Sequence, residues 1–251
     1  MYQAIVGCLA YLAQGTRPDL AFAVSTLGKF NSDPSEEHMI AAKWVLRYIR
    51  ETRGAKLTFG GSGSGEELAV DGFVDADWAA DRDNRWSTSG FVSTVAGGAV
   101  SWGSRKQGAV ALSTAEAEYV AAGVAGREAL LLSRTLAAAE KQSGTIRVNC
   151  DNQATIQLAK NPGSHHHQSK HIDIVHQWIR DKTQEGAFAF QYIPDTNRPE
   201  PGGRVHKSAR ADQAQAACTG NRNGIGAGGM DSRFRGRSDT VSGAERECDK
   251  R

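Results

Sequence analysis

Apolar residues recur at two different periods along this chain, and the change of period divides it. Over residues 1–14, Ile5, Val6, Leu9, Tyr11 and Leu12 fit one short helix. Thr16-Arg17-Pro18-Asp19 then reads as a helix start, with a hydroxyl cap, an early proline and an acidic first turn. Leu20, Val24, Leu27 and Phe30 follow at helical spacing. Ser32-Asp33-Pro34-Ser35-Glu36-Glu37 is a second cap before a longer helix through Trp44, Val45, Tyr48 and Ile49. Capped amphipathic helices of this kind predict a small helical module over residues 1–58 with one buried face.

Residues 59–67 contain the Gly60 to Gly65 run and are expected to be a flexible linker. A phosphate-cradling loop would need a strand before it and a helix opening directly from the glycines. Here a strand follows instead. Residues 68–75, 89–96 and 98–104 read as strands, with Gly97-Gly98 as a hairpin turn between the last two. Residues 113–141 are nearly all good helix formers and predict a long helix. A short strand over 145–150, helices over 152–160 and 168–185, and a last strand over 187–193 complete the order β-β-β-α-β-α-α-β. That order predicts an α/β domain over residues 68–200, a mixed five-stranded sheet flanked by helices. From residue 201 large apolar side chains become sparse, and Gly and Arg recur without period. Such a stretch cannot bury enough surface to offset its chain entropy, so residues 201–251 are expected to form a disordered tail.

Composition narrows the function classes. A net charge of +2 over 251 residues does not argue for nucleic acid by itself, so a nucleic-acid surface would have to come from local patches. The balance is uneven: Lys+Arg against Asp+Glu is 20 to 22 over residues 1–200 and 10 to 6 beyond them. Cys8, Cys150, Cys218 and Cys248 lie far apart, which excludes a recognisable zinc module and gives no disulfide framework. Cys150 ends an apolar run and is expected to be a buried thiol. No stretch approaches a membrane span and no signal-peptide pattern opens the chain, so an intracellular protein without membrane contact is expected.

The candidate chemistry lies in acidic residues. Asp75 ends the first strand and Asp151 the fourth, and ligands of open α/β sheets gather beyond strand ends. Asp77, two residues after Asp75, projects from the same face of an extended strand. Glu118 lies near the start of the long helix, with Glu116 as its competitor. Each alone is ordinary. Together the strand–hairpin–strand–helix–strand order brings Asp75 and Asp151 to neighbouring strand ends, with Glu118 reaching in from the helix. Hard oxygen donors suit Mg²⁺ or Mn²⁺. Two such ions, roughly 3.5–4 Å apart, serve the attacking water and the leaving oxygen in phosphodiester cleavage. His165-His166-His167 point in different directions and are expected to be a solvated helix entrance rather than a chelate. Lys170 and His171 suit either a substrate phosphate or a polar helix face.

These settings resemble the ribonuclease H domain of Ty1/copia-type retrotransposon Pol polyproteins. The resemblance rests on Asp75-Ala76-Asp77-Trp78-Ala79-Ala80, Arg85-Trp86-Ser87-Thr88-Ser89-Gly90, Glu116-Ala117-Glu118-Tyr119, Cys150-Asp151-Asn152-Gln153 and Lys170-His171-Ile172-Asp173-Ile174, in the family's order. It implies a ribonuclease H-like fold and cleavage of the RNA strand of an RNA–DNA hybrid. It also implies two Mg²⁺ (or Mn²⁺) ions held by Asp75, Glu118 and Asp151, with no direct role for Asp77 or Glu116. Tyr11-Leu12-Ala13, Gly15-Thr16-Arg17-Pro18-Asp19 and Val45-Leu46-Arg47-Tyr48 look like the end of the adjoining reverse transcriptase. The palm and fingers of that enzyme are expected upstream in an intact polyprotein, in a cytoplasmic particle or the nucleus. Without them this chain is not expected to polymerise. The rival reading is a degenerate transposon product, or a module that binds hybrid without cutting it.

One element of the resemblance is missing. Family members continue after the last strand with a Leu-Ala-Asp-Ile/Val-Phe-Thr-Lys helix whose Asp is the fourth metal ligand. This chain has Pro201-Gly202-Gly203-Arg204-Val205-His206-Lys207-Ser208. That segment can be encoded, among synonymous choices, as CCT-GGC-GGA-CGT-GTT-CAC-AAA-AGC. Read one nucleotide later, these codons give Leu-Ala-Asp-Val-Phe-Thr-Lys. The expectation is a one-nucleotide frame error between Thr196 and Arg198, with residues 201–251 translated out of frame and activity impaired. Asp212 is a poor substitute, because metal sites demand fixed geometry.

Overall fold

The computed structural model describes residues 1–60, 68–81, 84–139, 144–160 and 170–194. Residues 61–67 of the Gly/Ser linker, the triple histidine, the side chains of Lys170 and His171, and the tail from 201 lie outside the described residues. The amino-terminal part has three helices, α1 (Tyr2–Gly15), α2 (Ala21–Gly28) and α3 (Glu36–Glu51). Tyr2, Val6, Leu9, Ala13, Leu20, Leu27, Ala42 and Val45 form one core between them. Ser35 caps α3 as expected. Its hydroxyl accepts the His38 N–H (3.5 Å) while the His38 ring accepts the Ser35 N–H (3.0 Å).

The expected start at Thr16 is different. Thr16 closes α1, its N–H bonding the Leu12 carbonyl (3.1 Å), and a single 3-10 turn, Pro18–Leu20, leads into α2. Pro18 and Asp19 still supply the early proline and the first-turn acid of that turn. Asp19 pairs with Arg17 at 2.7 Å, and Arg17 also reaches the Thr52 hydroxyl (2.6 Å), so this group ties the turn to the end of α3.

The remainder is the mixed five-stranded sheet flanked by helices that the element order predicts. Strands β1 (Val70–Asp77), β2 (Thr88–Val95), β3 (Gly98–Lys106), β4 (Ile146–Cys150) and β5 (Phe188–Tyr192) lie in the order β3-β2-β1-β4-β5. The first three form an antiparallel meander, and β4 and β5 run parallel to β1 and to each other. The β2–β3 turn falls one residue earlier than expected. Ala96 (φ 50°) and Gly97 (φ 76°) are its central residues, and Gly98 already pairs with Val95. Gly98 is required for another reason: a Cβ there would stand 2.7 Å from the Thr58 carbonyl and 2.3 Å from the Phe59 ring.

Helices α4 (Thr114–Ala138), α5 (Gln153–Lys160) and α6 (Lys170–Gln184) complete the domain. Its core joins Val70, Val74, Phe91, Ile146, Val148 and Cys150 of the strands to Tyr119, Ala122, Ala125 and Ala129 of α4 and to Ile179 of α6. Small residues on α4 let the helices approach closely. A Cβ on Gly123 would meet Val175 at 2.5 Å. The amino-terminal helices dock against β3, where the Trp102 indole donates to the Ala13 carbonyl (2.6 Å). No described helix is long and apolar enough to cross a membrane.

Candidate metal centre

The carboxylates of interest sit at the ends of elements because the sheet is parallel where it matters. β1 and β4 pair from Asp71↔Arg147 to Phe73↔Asn149. Carrying that register on by two residues sets Asp75 level with Asp151, just past the end of β4. Helix α4 starts beside them. The Ser113 hydroxyl accepts the Glu116 N–H (3.2 Å), and the Glu116 carboxylate accepts the Leu112 N–H (2.7 Å). Glu116 thereby caps its own helix. Glu118, in the same first stretch of α4, is 7% exposed.

Donor atoms of Glu118, Asp151 and Cys150 all lie within 4.8 Å of one another. Two of the three carboxylates expected to meet are therefore together, and Asp75 is not in that group. β1 pairs with β2 without interruption from Val70 to Asp77, which puts Asp75 on the face of Asp71 and Phe73. Val70 and Val74 occupy the opposite face, in the core beneath α4. On the outer face Asp71 holds an ion pair with Arg147. Asp77 shares the outer face of Asp75, as its spacing requires.

Cys150 is the member that sequence reasoning left out of the site. It is buried, as its apolar run predicted, and its sulfur accepts the Asn152 N–H (3.4 Å). The available signal was its position immediately before Asp151. As a donor set, two carboxylates suit a hard divalent ion, while the thiol is a soft donor foreign to the all-oxygen shell of Mg²⁺. The residues present fit a divalent cation in general.

Tyr119 follows Glu118 and anchors this turn of α4 to α6. Its ring stacks on His176 (3.8 Å between centroids) and its hydroxyl donates to the His176 carbonyl (3.2 Å). Burial pushes its pKa up to about 12, against a smaller opposing effect of Arg180. A phenol whose folded pKa exceeds the unfolded value of 10 contributes stability that is complete below pH 10 and is lost as pH rises towards 12. Thermal midpoints should fall across that window, and Tyr119→Phe should flatten the fall while costing about 1 kcal/mol at neutral pH for the lost hydrogen bond. An equally steep alkaline fall in Tyr119→Phe would contradict the assignment.

No protein-family model matches the chain. It is 42% identical over 198 residues to the retrovirus-related Pol polyprotein from transposon TNT 1-94 of Nicotiana tabacum, a match covering 79% of this chain and 14% of that protein. The chain thus spans about one seventh of the polyprotein. It is also 46% identical over 132 residues to secreted RxLR effector protein 161 of Plasmopara viticola, covering 53% of this chain and 91% of that one. Among solved structures, the foamy viral protease-reverse transcriptase in complex with RNA/DNA hybrid is 14% identical with a TM-score of 0.48, covering 82% of this chain and 27% of that one.

Proposed function

Since the chain belongs to the Ty1/copia-type retrotransposon Pol family, we propose that its sheet domain is a hybrid-directed ribonuclease module working with part of its metal-binding set. The observation that carries this reading is the meeting of Glu118 and Asp151 beside the β1 end that holds Asp75. Glu118 and Asp151 would hold a divalent ion, Mg²⁺ or Mn²⁺, and Asp75 borders the site from the adjacent strand. A bound divalent ion would supply electrostatic stabilisation for phosphodiester cleavage. The chain's own residues do the rest. Glu116 and Ser113 fix the start of α4, the β1–β4 register sets the two aspartates level, and the core under α4 keeps Glu118 out of bulk water. The partner would be an RNA–DNA hybrid, read by duplex shape and 2′-OH contacts rather than by base sequence.

The frame-error reading of residues 201–251 belongs to the same proposal. Its supports are that synonymous codons allow the family heptapeptide in the next frame, and the length of the tobacco match, which leaves unmatched about as many residues as the tail contains. A gel shift on RNA–DNA hybrid run beside a cleavage assay tests the function. The expected result is a shift that excess single-stranded DNA does not abolish, with slow divalent-dependent loss of the RNA strand. Neither shift nor cleavage would sink the proposal; a shift without cleavage would reassign the domain as a hybrid-binding module.

A further inference from the structure

Glu118 owes its place to more than the capping of its helix. The Gln107 side-chain amide, 5% exposed, donates to the Ala117 carbonyl (2.8 Å), the peptide oxygen that leads directly into Glu118. The same nitrogen donates to the Ser89 hydroxyl (2.9 Å), and the Gln107 backbone N–H bonds the Ser87 carbonyl (2.9 Å). Ser89 is paired with Ala76, the neighbour of Asp75. Gln107 therefore links the peptide before Glu118 to the strand end that carries Asp75.

A second bridge comes from the other side. The Thr155 hydroxyl, fully buried, donates to the Ala115 carbonyl (3.3 Å), three residues before Glu118. Thr155 is itself fixed by its backbone N–H, which bonds the Asn152 side chain (3.1 Å), one residue after Asp151. Both carbonyls lie within the first turn and a half of α4, where the helix is held to the sheet. Neither bridge touches a carboxylate.

We propose that Gln107 and Thr155 are positioning residues for the metal centre: one sets Glu118 relative to Asp75, the other relative to Asp151. The physical ground is general. Groups outside the donor shell fix the orientation of the donors, and losing one costs about 10- to 100-fold in metal affinity. A donor displaced by more than about 0.5 Å leaves the productive geometry. This inference rests on the divalent site proposed above.

The test is Mn²⁺ titration of the full-length chain, with free ion counted by electron paramagnetic resonance and the metal-free Tm measured alongside. Gln107→Met and Thr155→Val keep the side-chain volumes and remove the bridges, and Thr155→Ser keeps the hydroxyl. We expect the Mn²⁺ Kd to rise about tenfold in the first two and to stay within about twofold of the parent in Thr155→Ser. Should Gln107→Met fail to fold, the Thr155 pair decides alone. A purely structural role would lower the metal-free Tm and leave the Kd of the folded variants unchanged, and that result overturns the inference. A parent chain that binds no Mn²⁺ would instead overturn the metal site on which it stands.

Discussion

A chain with one nucleotide removed just upstream of codon 201, so that the following residues read Leu-Ala-Asp-Val-Phe-Thr-Lys, should cut RNA–DNA hybrid at least about tenfold faster than the chain as it stands. The estimate takes the lower end of what a lost metal-shell group costs. The direction follows from charge. Confining dications within a few ångströms needs several anionic donors, and Glu118, Asp151 and Asp75 would provide three. A fourth carboxylate would add negative charge where cation repulsion is greatest. Changing the new Asp to Asn within the restored segment separates the donor from the packing of the restored helix. Equal rates for the parent and the restored chain would overturn the frame-error proposal.

The second large effect concerns Asp151. Asp151→Asn keeps the shape of the side chain and removes a charged donor from the Glu118–Cys150–Asp151 group. Mn²⁺ affinity should fall at least about 100-fold, the upper end for outer-shell partners, because this residue is itself a proposed donor. Heat denaturation offers an independent view. An ion at 100 times its Kd stabilises the folded state by about 2.7 kcal/mol, so added Mn²⁺ should raise the Tm of the parent and leave that of Asp151→Asn nearly fixed. Retained Mn²⁺ stabilisation in Asp151→Asn would place the ion elsewhere.

Much of the architecture was legible because local signals agreed with the fold. The Ala/Leu-rich run over residues 113–141 could be little other than a helix, and it appears as α4, Thr114–Ala138. The alternating strands and their order followed from period and turn chemistry, and so did the five-stranded sheet. The errors arose where a side chain was claimed by a distant partner. Thr16 looked like a hydroxyl cap, but it closes α1, while Asp19 is the first-turn acid and pairs with Arg17, which also reaches Thr52. The hairpin glycine was read one residue late, because Gly98 answers to Thr58 and Phe59 rather than to the turn.

The site was legible in its residues and less so in their meeting. Sequence order placed Asp75, Glu118 and Asp151 at the same end of the sheet. Strand alternation puts Asp75 on the face of Asp71 and Asp77, and the β1–β4 register sets it level with Asp151. The capping role of Glu116 was not legible either, since it depends on the Leu112 N–H that its carboxylate accepts. Cys150 came into the group because the chain bends just after β4, bringing the sulfur beside the carboxylates.

That contrast between the two glutamates gives the most direct test of the central claim, a divalent-ion centre built on Glu118 and Asp151. Mn²⁺ titrated into the parent, Glu116→Gln and Glu118→Gln chains distinguishes a capping carboxylate from a donor. The account predicts saturable binding in the parent, binding within about threefold of it in Glu116→Gln despite a lower Tm, and loss of at least about 100-fold in Glu118→Gln. Equal Mn²⁺ affinity in the parent and Glu118→Gln would contradict it.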